Sequence, residues 1–138
     1  MKLLPLAFIF DTENSILLLK RIDRKTWEPV KWWIEKNKTH QQAIVREIEE
    51  ETWLTNDDFT FFHYDWAREF KGENLTLHIY CLKTYRKRPN IIINNIISWW
   101  IDHDKYWWFD IHQIEWLKLD YPQNIIPEIY KCYDLCNK

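Results

Sequence analysis

The sequence predicts an α/β sandwich built on a mixed β-sheet, and three observations predict it. Leu4 to Phe10 and Ser15 to Lys20 are apolar runs of strand length around a turn-forming quartet, Asp11-Thr12-Glu13-Asn14. Thr39-His40-Gln41-Gln42 is a capping box, with Thr39 as N-cap and Gln42 three residues on, opening a helix that runs to about Thr52. Phe59 to Trp66 and Leu75 to Lys83 are rich in β-branched and aromatic residues and flank Lys71-Gly72-Glu73-Asn74, as an antiparallel pair would. Strands in this order need helices on both faces of their sheet.

The remaining elements follow in order. Arg21 to Lys25 is a charged loop, and Trp27 to Lys31 reads as the strand and loop that lead into the first helix. Trp107 to Phe109 is a short strand; Ile111 to Leu117 and Pro127 to Leu135 are helices. No repeat or interdomain linker interrupts residues 1–138, which form one domain large enough for its own core. The net charge of −2 leaves no electrostatic footprint for nucleic acid. Lys83, Arg86, Lys87 and Arg88 precede Pro89-Asn90 and read as a solvated turn rather than a phosphate contact. The apolar start ends at Asp11, too short for a signal peptide or a membrane span. Three cysteines, Cys81, Cys132 and Cys136, lack metal-ligand spacing. The last two, one helical turn apart, read as packing residues, and a reducing cytoplasm is the expected location.

Residues 46–54, Arg-Glu-Ile-Glu-Glu-Glu-Thr-Trp-Leu, carry the strongest chemical signal. On a helix turning about 100° per residue, Glu47, Glu50 and Glu51 fall within an arc of roughly 100°. Like charges so placed repel by a few tenths of a kcal/mol per pair. Either water solvates this face or a cation sits against it. Hard divalent ions such as Mg2+ take oxygen ligands and bridge to phosphate oxygens.

The surrounding residues resemble the Nudix box, G-x5-E-x7-R-E-U-x-E-E-x-G-U, where U is a bulky aliphatic residue. Arg46-Glu47 falls on its R-E, Ile48 and Leu54 on its aliphatic positions, and Glu50-Glu51 on its E-E pair. Ala43, Ile44 and Val45 match the small and apolar positions before the arginine. Trp27-Glu28-Pro29-Val30-Lys31 resembles the family's approach to the box. Further on, Asp102-His103-Asp104-Lys105-Tyr106-Trp107-Trp108 resembles an acid-His-x-x-Tyr-x-Trp segment. That segment occurs in subgroups that hydrolyse dihydroneopterin triphosphate, deoxynucleoside triphosphates or diadenosine tetraphosphate.

The box departs from the family at three positions. Its glycines read as Trp32 and Trp53, and its first glutamate reads as Lys38. Composition offers a reason for the tryptophans. The chain has one glycine, Gly72, and ten tryptophans, where average usage of roughly 7% would give about ten glycines. Trp53 follows the helix at a position that is usually left-handed, where a Cβ costs roughly 1–2 kcal/mol. A gene that uses UGA for glycine, translated by a table reading UGA as tryptophan, produces this pattern. The alternative is an unusually aromatic protein with a divergent box. Trp27, Trp108 and Trp116 suit aromatic residues, whereas Trp33, Trp66, Trp99, Trp100 and Trp107 are undecided.

The resemblance implies a Nudix-type α/β/α sandwich and a metal-dependent pyrophosphohydrolase. Its substrate would be a small nucleotide, either a nucleoside diphosphate linked to another moiety or a nucleoside triphosphate-like molecule. Glu50 and Glu51 are the expected metal ligands, with Glu47 as ligand or as base through water, and Mg2+ as the ion with Mn2+ the alternative. The backbone carbonyl of Trp32 and the carboxylate of Asp102, with Asp104 second, complete the expected metal set. Arg46 would orient a carboxylate through a bidentate contact; its usual partner is the glutamate replaced by Lys38, and Glu35 stands in. Lys31, Arg68 and Tyr106 are the candidate substrate contacts, although aromatic strand residues such as Tyr64, Trp66 and Tyr106 are more often core. No histidine has metal-ligand spacing, and His63 and His78 read as packed or surface residues. A homodimer is left open. The alternative function is a catalytically weak Nudix-fold module that binds nucleotides.

Overall fold

The structure, a computed structural model, describes residues 2–21, 25–31, 40–70, 73–91, 103–119 and 125–137. Among these, seven strands form one sheet: β1 (Lys2–Phe10), β2 (Ser15–Arg21), β3 (Trp27–Glu28), β4 (Val30–Lys31), β5 (Phe59–Phe70), β6 (Glu73–Thr84) and β7 (His103–Asp110). Helix α1 (His40–Thr52) follows β4, and α2 (Ile125–Cys136) lies near the C-terminus. β1 runs parallel to β6 and antiparallel to β2 and β4, so the sheet is mixed.

The short strands β3 and β4 come from one continuous stretch that changes partners. β1 and β2 pair only at Ile9–Leu17 and Phe10–Ile16. Below that point, Trp27 and Glu28 pair with Lys20 and Leu19 of β2, while Val30 and Lys31 pair with Ala7 and Leu6 of β1. Pro29 sits at the switch, where its missing N–H removes a ladder donor. The stretch thereby fills the space between β2 and β1 and ends where the chain leaves for α1.

Successive strand side chains point to opposite faces, and β1 shows both faces covered. Leu6, Phe8 and Phe10 join one buried cluster with Ile125, Ile129 and Cys132 of α2. Ala7 and Ile9 join another with Ile44 and Ile48 of α1, Val30, Leu54, Phe59, Tyr80, Leu82 and Trp108. This is the expected sandwich.

Several elements differ from the sequence expectation. β5 runs past Trp66 to Phe70, and β6 starts before Leu75, at Glu73, since their register continues unbroken from Phe59–Thr84 to Phe70–Glu73. β7 begins at His103, because pairing with β2 carries it back to Arg21 across an irregularity. Ile111–Trp116 is a 3₁₀ helix, not an α-helix. Its start is held by Asp110, whose carboxylate accepts from the His112 N–H at 2.9 Å, while Gln113 accepts from the Asp110 N–H at 2.9 Å. α2 begins at Ile125, leaving Pro127 in the first turn, where its lack of an N–H costs little. The capping residue Thr39 lies outside the described residues.

The cysteines also correct the sequence reading. Cys81 on β6 and Cys132 on α2, both fully buried, are joined in a disulfide with Cα atoms 5.1 Å apart. Cys132 is thus a crosslink between helix and sheet, and only Cys136 is a free thiol. The basic turn is exposed as expected, and its charges have local partners. Lys87 meets Glu13 at 3.2 Å, Arg86 meets Asp58 at 3.5 Å, and Arg88 lies over the Trp107 ring. No helix among the described residues is long and apolar enough to cross a membrane.

Candidate active site

The candidate site lies on the outer side of α1. Ile44, Ile48 and Thr52 recur at four-residue spacing and are buried, which fixes the rotation of the helix on the sheet. Glu47 and Glu50 then lie on the flank that solvent reaches, their side chains 20% and 37% exposed. Arg46 spans both. Its Nη2 donates to Glu47 Oε1 at 3.2 Å, and its Nε stands 3.8 Å from Glu50 Oε1. The sequence reading assigned Arg46 a bidentate grip on one carboxylate; here one guanidinium faces two. This cation relieves the repulsion between neighbouring carboxylates and limits their rotamers.

The helix ends in a tightly determined turn. The Thr52 hydroxyl donates to the Ile48 carbonyl and accepts from the Leu54 N–H. The Trp53 N–H donates to the Glu49 carbonyl at 2.8 Å, and Trp53 adopts φ 65°. This is the left-handed residue that commonly closes a helix, as the sequence reading expects. Its indole is 58% exposed.

The sheet face that carries the helix also bears two polar side chains. Leu19 pairs with Glu28 of β3 on one side and with Tyr106 of β7 on the other, so all three share the face that carries α1. Tyr106 is half-buried against that cluster. Glu28 is buried, with Oε2 3.6 Å from Nη1 of Arg21. The sequence reading passed over this pair. The signal was the alternation itself, which places an acid among core positions one residue from an aromatic.

The remaining candidates divide cleanly. Glu51 lies in the last turn of α1, Lys31 of β4 pairs with Leu6, and Arg68 of β5 pairs with Leu75 of β6, but their side chains lie outside the described set. Trp32, Asp102, Lys38 and Glu35 lie outside the described residues, as does the side chain of Asp104. Glu47 and Glu50 are hard oxygen donors three residues apart on an accessible helix flank, and in donor type they fit a divalent cation such as Mg2+. Among the described residues, no group of three His, Cys, Asp or Glu stands together to hold a metal.

The model of the NUDIX domain matches residues 5–129, and the chain belongs to the Nudix family. By class it is a Nudix-type hydrolase acting on phosphoanhydride bonds. An Ap4A hydrolase of C. elegans in a binary complex is similar at 17% identity over 99% of this chain and 98% of that one, with TM-score 0.77. The dihydroneopterin triphosphate pyrophosphohydrolase of E. coli is similar at 20% identity over 94% and 92%, with TM-score 0.70. A MutT protein of Methanosarcina mazei Go1 shares 16% identity over 99% and 95%, with TM-score 0.69. At these identities the structures show a common fold. No curated protein sequence matches the chain.

Proposed function

We propose that the chain is a divalent-metal-dependent pyrophosphohydrolase. Its substrate is a small nucleotide, either a nucleoside diphosphate joined to another moiety or a nucleoside triphosphate-like molecule. The observation that carries this reading is Arg46 facing Glu47 and Glu50 on a helix whose opposite side is locked into the core. Glu50 and Glu51, with Glu47, the Trp32 carbonyl and Asp102, would hold Mg2+ or, in its place, Mn2+. Bound there, the ion would neutralise phosphate charge and lower the pKa of attacking water. Arg46 keeps the carboxylates in place, and Glu47 accepts the proton of the attacking water. Lys31 and Arg68 meet phosphate, while Tyr106 stacks on the base from the sheet face that carries the helix.

The test is release of phosphate or pyrophosphate from a nucleotide panel with Mg2+, with and without chelator, on the wild-type chain and on Glu50→Gln. Metal-dependent release that Glu50→Gln abolishes upholds the reading. A Glu50→Gln protein retaining more than about a tenth of the activity excludes Glu50 as an essential ligand. Nucleotide binding without release, in the chain and in its Trp32→Gly, Trp53→Gly variant, would make this a binding module, as Lys38 in place of an acid favours.

A further inference from the structure

We infer that position 53 is glycine in the protein its own cells make, its codon being UGA read as glycine. Four observations converge there, and none rests on the reaction proposed above. Trp53 has φ 65°, the left-handed region that a residue without Cβ enters freely. Its neighbours leave it no way out. Thr52 is fully buried and hydrogen-bonded to both Ile48 and Leu54, Leu54 is itself in the core, and the Trp53 N–H closes the helix on Glu49. The indole draws little from burial in return, being 58% exposed. Finally, the whole chain has one glycine against ten tryptophans. UGA differs by a single base from the tryptophan codon UGG and from the glycine codon GGA, so one reassigned codon accounts for both the excess and the deficit.

The structure also separates tryptophans that must be real. Trp108 is buried, and its Nε1 donates to the Pro89 carbonyl at 3.1 Å. Trp27 packs edge-on against Phe109 at 4.8 Å between ring centroids. Glycine at either place would leave a hole in the core. These two positions serve as internal controls.

The experiment is tryptic peptide sequencing by mass spectrometry on the protein purified from the cells that encode it. The peptide from Glu47 to Arg68 reports position 53; those from Thr26 to Lys31 and from Tyr106 to Lys118 report the controls. Glycine at 53, alone or mixed with tryptophan, together with tryptophan at 27 and 108, upholds the inference. Homogeneous tryptophan at 53, or a TGG codon there in the gene, overturns it. The recombinant pair adds a second readout: Trp53→Gly should raise the Tm, and an unchanged or lower Tm counts against glycine at this position.

Discussion

The two faces of the sheet are built for different ends. On the α2 face the buried strand residues are apolar, Leu6, Phe8, Phe10, Ile16, Leu18 and Ile79, and a disulfide fastens the helix to them. On the α1 face β3 and β6 bury Glu28, His78 and Thr84 among the aliphatic residues, and the helix turns Glu47, Glu50 and Arg46 towards solvent. Burying polar groups costs free energy unless they are partnered. Among the described residues the buried polar side chains of the strands gather on the side where phosphate chemistry is proposed, and the other side holds the fold.

That division is easiest to break from the α2 side. Replacing both Cys81 and Cys132 by alanine removes the closure of a loop whose ends are 51 residues apart. It should cost about 4 kcal/mol in urea unfolding, with turnover per folded molecule unchanged. An equal loss of activity would show that the faces are coupled. The converse change is Glu50→Gln, expected to lower turnover by about a hundredfold or more. It should move stability by no more than about 0.5 kcal/mol, because the group is half-exposed. A large fall in Tm would make Glu50 structural.

A smaller effect sharpens the comparison at the end of α1. Trp53→Gly should stabilise the chain by about 1 kcal/mol, the relief of a left-handed Cβ less the indole's partial burial. Thermal unfolding reads it. Smallest of all is the behaviour of Cys136, beside the disulfide. Burial pushes its thiol up to about 11, with Lys83 pulling modestly the other way. Alkylation requires the thiolate, so its rate should still climb between pH 9 and about 11. A plateau near pH 9 would show the C-terminal turn to be open.

Elements governed by local pattern were legible in the sequence. The C-terminal end of α1 and the turn at Asp11 follow from residues within a few places of each other, and so does the left-handed residue at 53. What escaped depended on partners distant in the chain. The change of partner at Pro29 is invisible without β1 and β2 diverging around it. The Cys81–Cys132 bond needs α2 already docked, and the Arg21–Glu28 pair is brought together by the β2–β3 register. Trp116 illustrates the opposite failure. It reads as a fitting aromatic, yet at 87% exposed it packs against almost nothing. Helical spacing made the common flank of Glu47 and Glu50 legible, whereas the contacts of Arg46 with both carboxylates were not.

The parallel pairing of β1 with β6 sets an order of events on the ribosome. Lys2 finds its partner in Leu75, and Phe10 in Lys83. At roughly 5–20 residues per second, the first strand is finished several seconds before the strand it lies against exists. Until then one long edge of β1 is open, with Leu6, Phe8 and Ile9 unsheltered. The β5–β6 hairpin, by contrast, closes on itself as soon as it emerges. The nascent chain therefore spends its early life as an apolar strand awaiting a late hairpin, and that interval is when a holding chaperone would find the most to bind.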